Sequence, residues 1–205
     1  MNIISWFHPT IDALFTRGLS FDTRFRLLLF QPLAFLVYLT SHIGILKSPS
    51  RITTVQIPVR EGRTLRALVF WPRGTSPGES QRESAVGKRL RPLHLDIHGG
   101  AFIGGCPEAD HRVCTAIANG SGAIVVSTSY RIAPRHLFPA AIDDIDDVID
   151  WLLENAKSKL GADPRCLTVS GTSAGGNLAL AACMKERPAE NRIKGVLTAY
   201  AAVCD

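Results

Sequence analysis

The hydrophobic pattern changes character near residue 51 of this 205-residue chain. Before it, apolar residues dominate without strict alternation, and Leu27 to Leu46 is a run of 20 residues with no Asp, Glu, Lys or Arg. After it, short β-branched and apolar runs take over. Thr53 to Val59 and Leu65 to Trp71 predict an antiparallel opening hairpin. Arg73 to Pro92 is rich in Gly, Ser and charge and predicts a long solvated loop. From Leu93 onward the period switches back and forth. A strand to Ile97, a helix around Ala109 to Ala118 and a strand over Ala123 to Ser129 come first. A helix over Ala140 to Lys157, a strand over Cys166 to Ser170, a helix over Asn177 to Met184 and a last strand over Lys194 to Ala201 follow. Strands alternating with helices predict an α/β fold, a mostly parallel sheet with helices on both faces. The division is therefore an apolar N-terminal region, 1–50, and an α/β domain, 51–205.

The N-terminal region has two readings. Twenty uncharged residues at about 1.5 Å rise each match a bilayer core of roughly 30 Å. Arg17, Arg24 and Arg26 precede the run, and Lys47 and Arg51 follow it. That slight bias favours a cytoplasmic N-terminus. A spanning segment would place the domain in a lumen such as that of the endoplasmic reticulum, with the sequon Asn119-Gly120-Ser121 open to glycosylation. The other reading is a soluble apolar cap in a cytoplasmic protein, which Gln31, Pro32, Ser41 and His42 favour. The balance leans to membrane association through 27–46.

Composition narrows the chemistry. At 46% hydrophobic the chain buries a real core. Its net charge of +5 comes from scattered residues, and the one cluster, Lys88-Arg89-Leu90-Arg91, lies in the long loop. No basic stripe interleaved with aromatics exists, so nucleic acid is not an expected partner. Cys106, Cys114, Cys166, Cys183 and Cys204 lack ligand spacing and predict free thiols, neither a metal site nor a disulfide framework. Asp143-Asp144-Ile145-Asp146-Asp147 matches a magnesium-diphosphate spacing, D-D-x-x-D. Ile142, Ile145, Ile149 and Leu152 recur at helical spacing there, which predicts a core face with the aspartates on the wet side. His94 and His111 have no partners at ligand spacing and read as structural.

The candidate chemistry is Gly171-Thr172-Ser173-Ala174-Gly175, set between a strand and a helix. A serine at such a turn is pushed clear of the sheet by a strained backbone, and glycines two positions either side avoid a collision across it. Seventy-five residues upstream, His98-Gly99-Gly100-Ala101-Phe102 follows the strand ending at Ile97. Acyl transfer needs donors aimed at the oxygen that becomes negative. The N–H groups of Gly99, Gly100, Ala101 and Ala174 are the candidates, with Ser173 as nucleophile and His98 shaping the turn.

Three blocks in order carry a family resemblance: HGGAFIGG (His98 to Gly105), YRIAP (Tyr130 to Pro134) followed by Phe138-Pro139-Ala140-Ala141, and GTSAGGN (Gly171 to Asn177). From about Ile52 onward the chain resembles the hormone-sensitive-lipase-like branch of the α/β-hydrolases. Ala101, Arg135 and Thr172 stand where that family usually has Gly, Glu and Asp. The resemblance implies an α/β-hydrolase fold and a serine carboxylesterase or lipase that acts on small ester substrates through an acyl-enzyme, with no cofactor or metal. In this fold the triad follows the order Ser, acid, His. Here His8, His42, His94, His98, His111 and His136 all precede Ser173, and the acids after it are Glu186, Glu190 and Asp205. The resemblance therefore implies a domain incomplete at its C-terminus, lacking its last strands, its acid and its base. That predicts an inactive chain with an open sheet edge near Val196 to Tyr200, prone to self-association. The alternative is a non-catalytic binding protein on the same scaffold.

Overall fold

The computed structural model describes residues 4–46, 51–78, 80, 90–185 and 191–203. The elements in chain order are α1 (Ile4–Phe15), α2 (Phe21–Leu46), β1 (Ile52–Val59), β2 (Arg63–Phe70), β3 (Arg91–Ile97), α3 (His111–Ser121), β4 (Ile124–Thr128), α4 (Ala140–Asn155), β5 (Ala162–Thr172), α5 (Ala174–Lys185) and β6 (Ile193–Ala199). They build one mixed sheet in the order β1-β2-β4-β3-β5-β6. β1 and β2 form the expected antiparallel hairpin, and β2 also meets β4 antiparallel. β4, β3, β5 and β6 run parallel. The mostly parallel sheet is what the alternation predicted, and its order is the α/β-hydrolase architecture that the resemblance implied.

Period-2 alternation in β2 explains the layers. Ala67 and Val69 join the larger core with β3, β5 and α4, while Leu68 and Phe70 pack with Cys114 and Ala118 of α3. In α4, Ile145, Val148, Ile149 and Leu152 are buried at helical spacing. The helix continues into a π-helical turn, Ala156–Leu160, that ends at the left-handed Gly161.

The aspartates of α4 need a correction. Asp144 is 0% exposed, not on the wet face. Arg131 explains this: its N–H and guanidinium both donate to the Asp144 carboxylate, at 2.7 and 2.9 Å. The other three are paired as well. Arg60 meets Asp143 at 3.0 Å and Asp147 at 2.7 Å, and Lys185 meets Asp146 at 2.6 Å. Arg60 holds the Asp147 carboxyl below its ordinary range. The four carboxylates bind their own chain's cations.

At the N-terminus, Arg24 of α2 donates to the carbonyls of Ala13 and Leu14 and, at 2.6 Å, of Thr16. It thereby satisfies the C-terminal carbonyls that α1 would otherwise leave bare. α2 covers the whole 27–46 run, with Pro32 inside it. Among the described residues no helix is long and apolar enough to cross a membrane. α2 exposes Phe21, Phe25 and Leu29. At the other end of the sheet, β6 pairs with β5 alone among the described strands, and its Leu197 is 64% exposed.

The long loop lies partly outside the described residues, as do Glu186, Glu190, Cys204 and Asp205. β5 is longer than its β-leaning segment because Asp163 and Ala162 continue the ladder with β3 past a bulge. α5 begins three residues early, at Ala174. Its two glycines are poor helix formers, but tertiary packing overrides that preference.

Candidate active site

Ser173 joins β5 to α5 with φ +50°, the left-handed region that costs a residue with a side chain about 1 kcal/mol or more. The neighbourhood holds it there. Ser173 N–H donates to Ala199 O at 3.1 Å, and its carbonyl accepts from Asn177 N–H at 3.1 Å and Ala202 N–H at 3.2 Å. The flanking glycines are required by contact. A Cβ on Gly171 would lie 2.3 Å from Gly175 O, and one on Gly175 would lie 1.9 Å from Ile97 O. Ser173 Oγ has no hydrogen-bond partner among the described residues.

The glycine turn lies directly beside it. A Cβ on Gly99 would sit 3.0 Å from Thr172 O and 3.5 Å from Ser173 Cβ, so the two motifs touch although 75 residues separate His98 from Ser173. Gly100 (φ +139°), Ala101 (φ +54°) and Phe102 (φ +61°) form a run of left-handed residues. The Gly100 carbonyl accepts from Ile103 and Gly104 N–H, which closes the turn. No turn or loop carbonyl among the described residues takes the N–H groups of Gly99, Gly100, Ala101 or Ala174. Ala174 also opens α5, where backbone N–H groups and the helix dipole favour negative charge.

His98 is 1% exposed and stacks on Tyr130 with centroids 4.5 Å apart. Its Nδ1–H donates to Gly99 O at 2.7 Å, while the Tyr130 hydroxyl donates to the His98 carbonyl at 3.0 Å. It therefore braces the turn. Of the three departures from the family pattern, Arg135 pairs with Asp12 of α1 at 2.7 Å, and Thr172 Oγ1 donates to Asp110 at 3.3 Å. Ala101 is exposed, with its methyl beside the turn.

Sequence reasoning missed a buried polar cluster beneath the elbow. Ser170 Oγ donates to Asp96 at 2.8 Å, so the His94 Nε2 at 2.9 Å must carry the proton it shares with Ser170. His94 Nδ1 is then the acceptor for the Thr168 hydroxyl at 2.8 Å. The cluster contains a serine, a histidine and an aspartate, but the serine sits between the other two and donates to the acid. That wiring gives no activated nucleophile. The signal was present in Leu93-His94-Leu95-Asp96-Ile97, where polar residues at alternate positions mark one polar face.

None of the described histidine side chains bonds Ser173. Nδ1 of His111 is bonded to Glu108 O at 3.2 Å. The sequon is also engaged: Asn119 Oδ1 accepts from Arg51 and from Arg73 N–H, and Ser121 Oγ donates to Ile117 O.

Burial sets the acid sensitivity. Desolvation lowers His94 and His98 from 6.5 to about 4. The unfolded chain therefore binds these protons first, and the stability the neutral rings contribute is complete above pH 6.5 and lost as pH falls toward 4. Each accounts for roughly 3 kcal/mol at about 1.4 kcal/mol per unit. Asp96 runs the other way. Burial, then Asp110, raises it from 3.8 to about 6, so its cost is relieved as pH falls through that window. Two histidines outweigh one carboxyl. Urea unfolding at pH 7 and pH 4.5 should show a net loss of about 3 kcal/mol, which His94→Gln reduces substantially. A pH-independent midpoint would contradict the assignment.

A family described as having the alpha/beta hydrolase fold matches residues 94–205. The ethyl acetate hydrolase of Pseudomonas putida is 34% identical over 131 residues, covering 64% of this chain and 38% of that protein. Carboxylesterase 20 of Arabidopsis thaliana is 39% identical over 113 residues, covering 53% and 35%. Among solved structures, the esterase of Pyrobaculum calidifontis superposes with a TM-score of 0.68 at 37% identity, covering 84% of this chain and 53% of its own. The chain thus spans little more than a third of these curated relatives and about half of the solved one.

Proposed function

Because the chain belongs to the α/β-hydrolase-fold family matched over residues 94–205, and within it to the hormone-sensitive-lipase-like esterases, we propose that it carries the nucleophile and the oxyanion donors of a carboxylic ester hydrolase. In this reading Ser173 Oγ attacks the carbonyl of a small ester. A base takes the Oγ proton, the carbonyl oxygen gains the negative charge, and the N–H groups of Gly99, Gly100, Ala101 and Ala174 receive it. On collapse the bond to the leaving oxygen breaks, that oxygen takes the proton from the protonated base and departs as the alcohol, and an acyl-serine is left for water to hydrolyse. The observation that supports this most is the close approach of Gly99 to a left-handed Ser173 whose Oγ has no hydrogen-bond partner among the described residues. In this reading the donors and the nucleophile stand side by side. No metal or cofactor enters this scheme.

The base is the open element. No described histidine bonds Ser173, and no histidine follows it in these 205 residues. A second reading is a non-catalytic binder of small esters that uses the same turn. A side-by-side ester assay separates the two. It compares this chain, a chimera continuing beyond β6 with the C-terminal segment of the Pyrobaculum calidifontis esterase, and the same chimera with Ser173→Ala.

We further propose that the exposed Phe21, Phe25 and Leu29 of α2 bring the protein to a membrane surface, in place of a crossing, and that the β6 edge associates with other copies. Whether the domain faces a lumen or the cytoplasm follows from which leaflet α2 meets. Flotation with phosphatidylcholine/phosphatidylserine vesicles should carry the chain upward, and Phe21→Ser/Phe25→Ser should leave it at the bottom. Light scattering on the lipid-free chain should report species above the monomer. A lipid-indifferent monomer would rule out both.

A further inference from the structure

The elbow strand carries hydroxyl side chains at alternate positions, Thr168, Ser170 and Thr172, which strand geometry places on one face of the sheet. Each is bonded to a partner from the segment that carries the glycine turn. Thr168 meets His94 at 2.8 Å, Ser170 donates to Asp96 at 2.8 Å, and Thr172 donates to Asp110 at 3.3 Å. His94 and Asp96 lie on β3 just before the turn, whereas Asp110 lies just after it, at the start of α3. The partners therefore bracket the turn from both sides.

The row extends sideways. Ser127 of β4 donates to the second Asp96 oxygen at 3.1 Å and to Pro107 O at 3.1 Å. Pro107 belongs to the same segment as Asp110. Three neighbouring strands and the chain leaving the glycine turn are thus tied through two carboxylates. Asp96 is 1% exposed, an expensive place for a carboxyl when Val or Leu would fill the same space. What directed bonds supply that apolar packing does not is a fixed separation along and across the strands.

We propose that Asp96 and Asp110 are positioning residues: acting through Ser170 and Thr172, they hold the elbow strand at a set distance from the glycine turn, and so fix Ser173 against the N–H groups of Gly99 and Gly100. Catalysis is sensitive to displacements of about 1 Å at such a site. The catalytic consequence rests on the esterase reading; the positional claim does not.

Thr172→Val tests it, since it removes the hydroxyl and keeps the branched shape. The amide of Ser173, bonded to Ala199 O at 3.1 Å, reports the elbow directly by hydrogen exchange in the 205-residue chain. Its exchange should rise about tenfold, with Leu167 and Val169 deeper in β5 unchanged. Thr172→Ser should restore the slow rate. Asp110→Ala, at a half-buried position, should reproduce the effect and serves if Thr172→Val does not fold. In the chimera, Thr172→Val should lower kcat about tenfold and leave KM unchanged, as loss of an interaction made only in the transition state does. Unchanged Ser173 exchange, or an increase spread evenly along β5, overturns the proposal. An inactive chimera with Ser173 intact would count against the esterase reading while leaving the exchange result standing.

Discussion

The 205-residue chain should hydrolyse short p-nitrophenyl esters about 10⁴- to 10⁶-fold more slowly than the chimera, which Ser173→Ala should in turn abolish. A serine hydroxyl is a poor nucleophile until a base removes its proton, and the two buried upstream histidines are committed elsewhere. His98 spends its Nδ1 on Gly99 O and its face on Tyr130. His94 holds Thr168 and Ser170. Both rings are lowered to about 4 by burial, which leaves them weak bases at neutral pH. The residual rate then comes from binding and the oxyanion donors alone. Robust turnover by the short chain that depends on Ser173 would require an upstream histidine, His98 or His136 first, to leave its place and reach Oγ.

Gly175→Ala should cost more than about 4 kcal/mol, at the extreme of single substitutions. The added methyl would lie 1.9 Å from Ile97 O and 2.5 Å from His98 O, both rigid backbone atoms of the strand that leads into the glycine turn. Only a retreat of α5 from β3 relieves the clash, and that retreat carries Ser173 with it. Gly120→Ala is the control. Nothing lies within 4 Å of a Cβ there, and the position is in the last turn of α3. It should be neutral or stabilise the protein by up to about 1 kcal/mol through helix propensity. Thermal melts of the two variants check both signs. Equal melting temperatures would mean that the close approach of α5 to β3 contributes little.

Much of the architecture was legible because period-2 and period-3.6 patterns survive in short runs. The opening hairpin, the alternation after Leu93 and the buried face of α4 all follow from apolar spacing. Ser173 and the glycine turn were legible too, since Gly99, Gly171 and Gly175 fill positions where backbone meets backbone. Long-range pairing was not legible. Asp144 reads as a wet aspartate from its helix alone, and only Arg131 arriving from the preceding loop makes its burial affordable. Asp96 and Ser170 are 74 positions apart, and nothing local in either says that the other completes it. The 27–46 run shows how a helix's bounds and ties escape such a reading. Its length matches a bilayer, yet α2 begins at Phe21, contains Pro32 and is tied to α1 by Arg24. Mean apolarity reports none of these.

The strand order has a consequence for synthesis. β2 meets β4 and not β3, so the hairpin completed at Phe70 has no neighbour for its free side until Ile124 to Thr128 is made. At roughly 5–20 residues per second that gap lasts several seconds on a translating ribosome. β3 emerges within it, also unpaired, because both of its neighbours, β4 and β5, come later in the chain. A nascent chain stalled between Ile97 and Ile124 would therefore present the open side of β2 and both sides of β3 at once. Chaperone capture and off-pathway pairing should peak there, and pausing codons in that interval should reduce the yield of folded protein more than the same codons placed after Thr172.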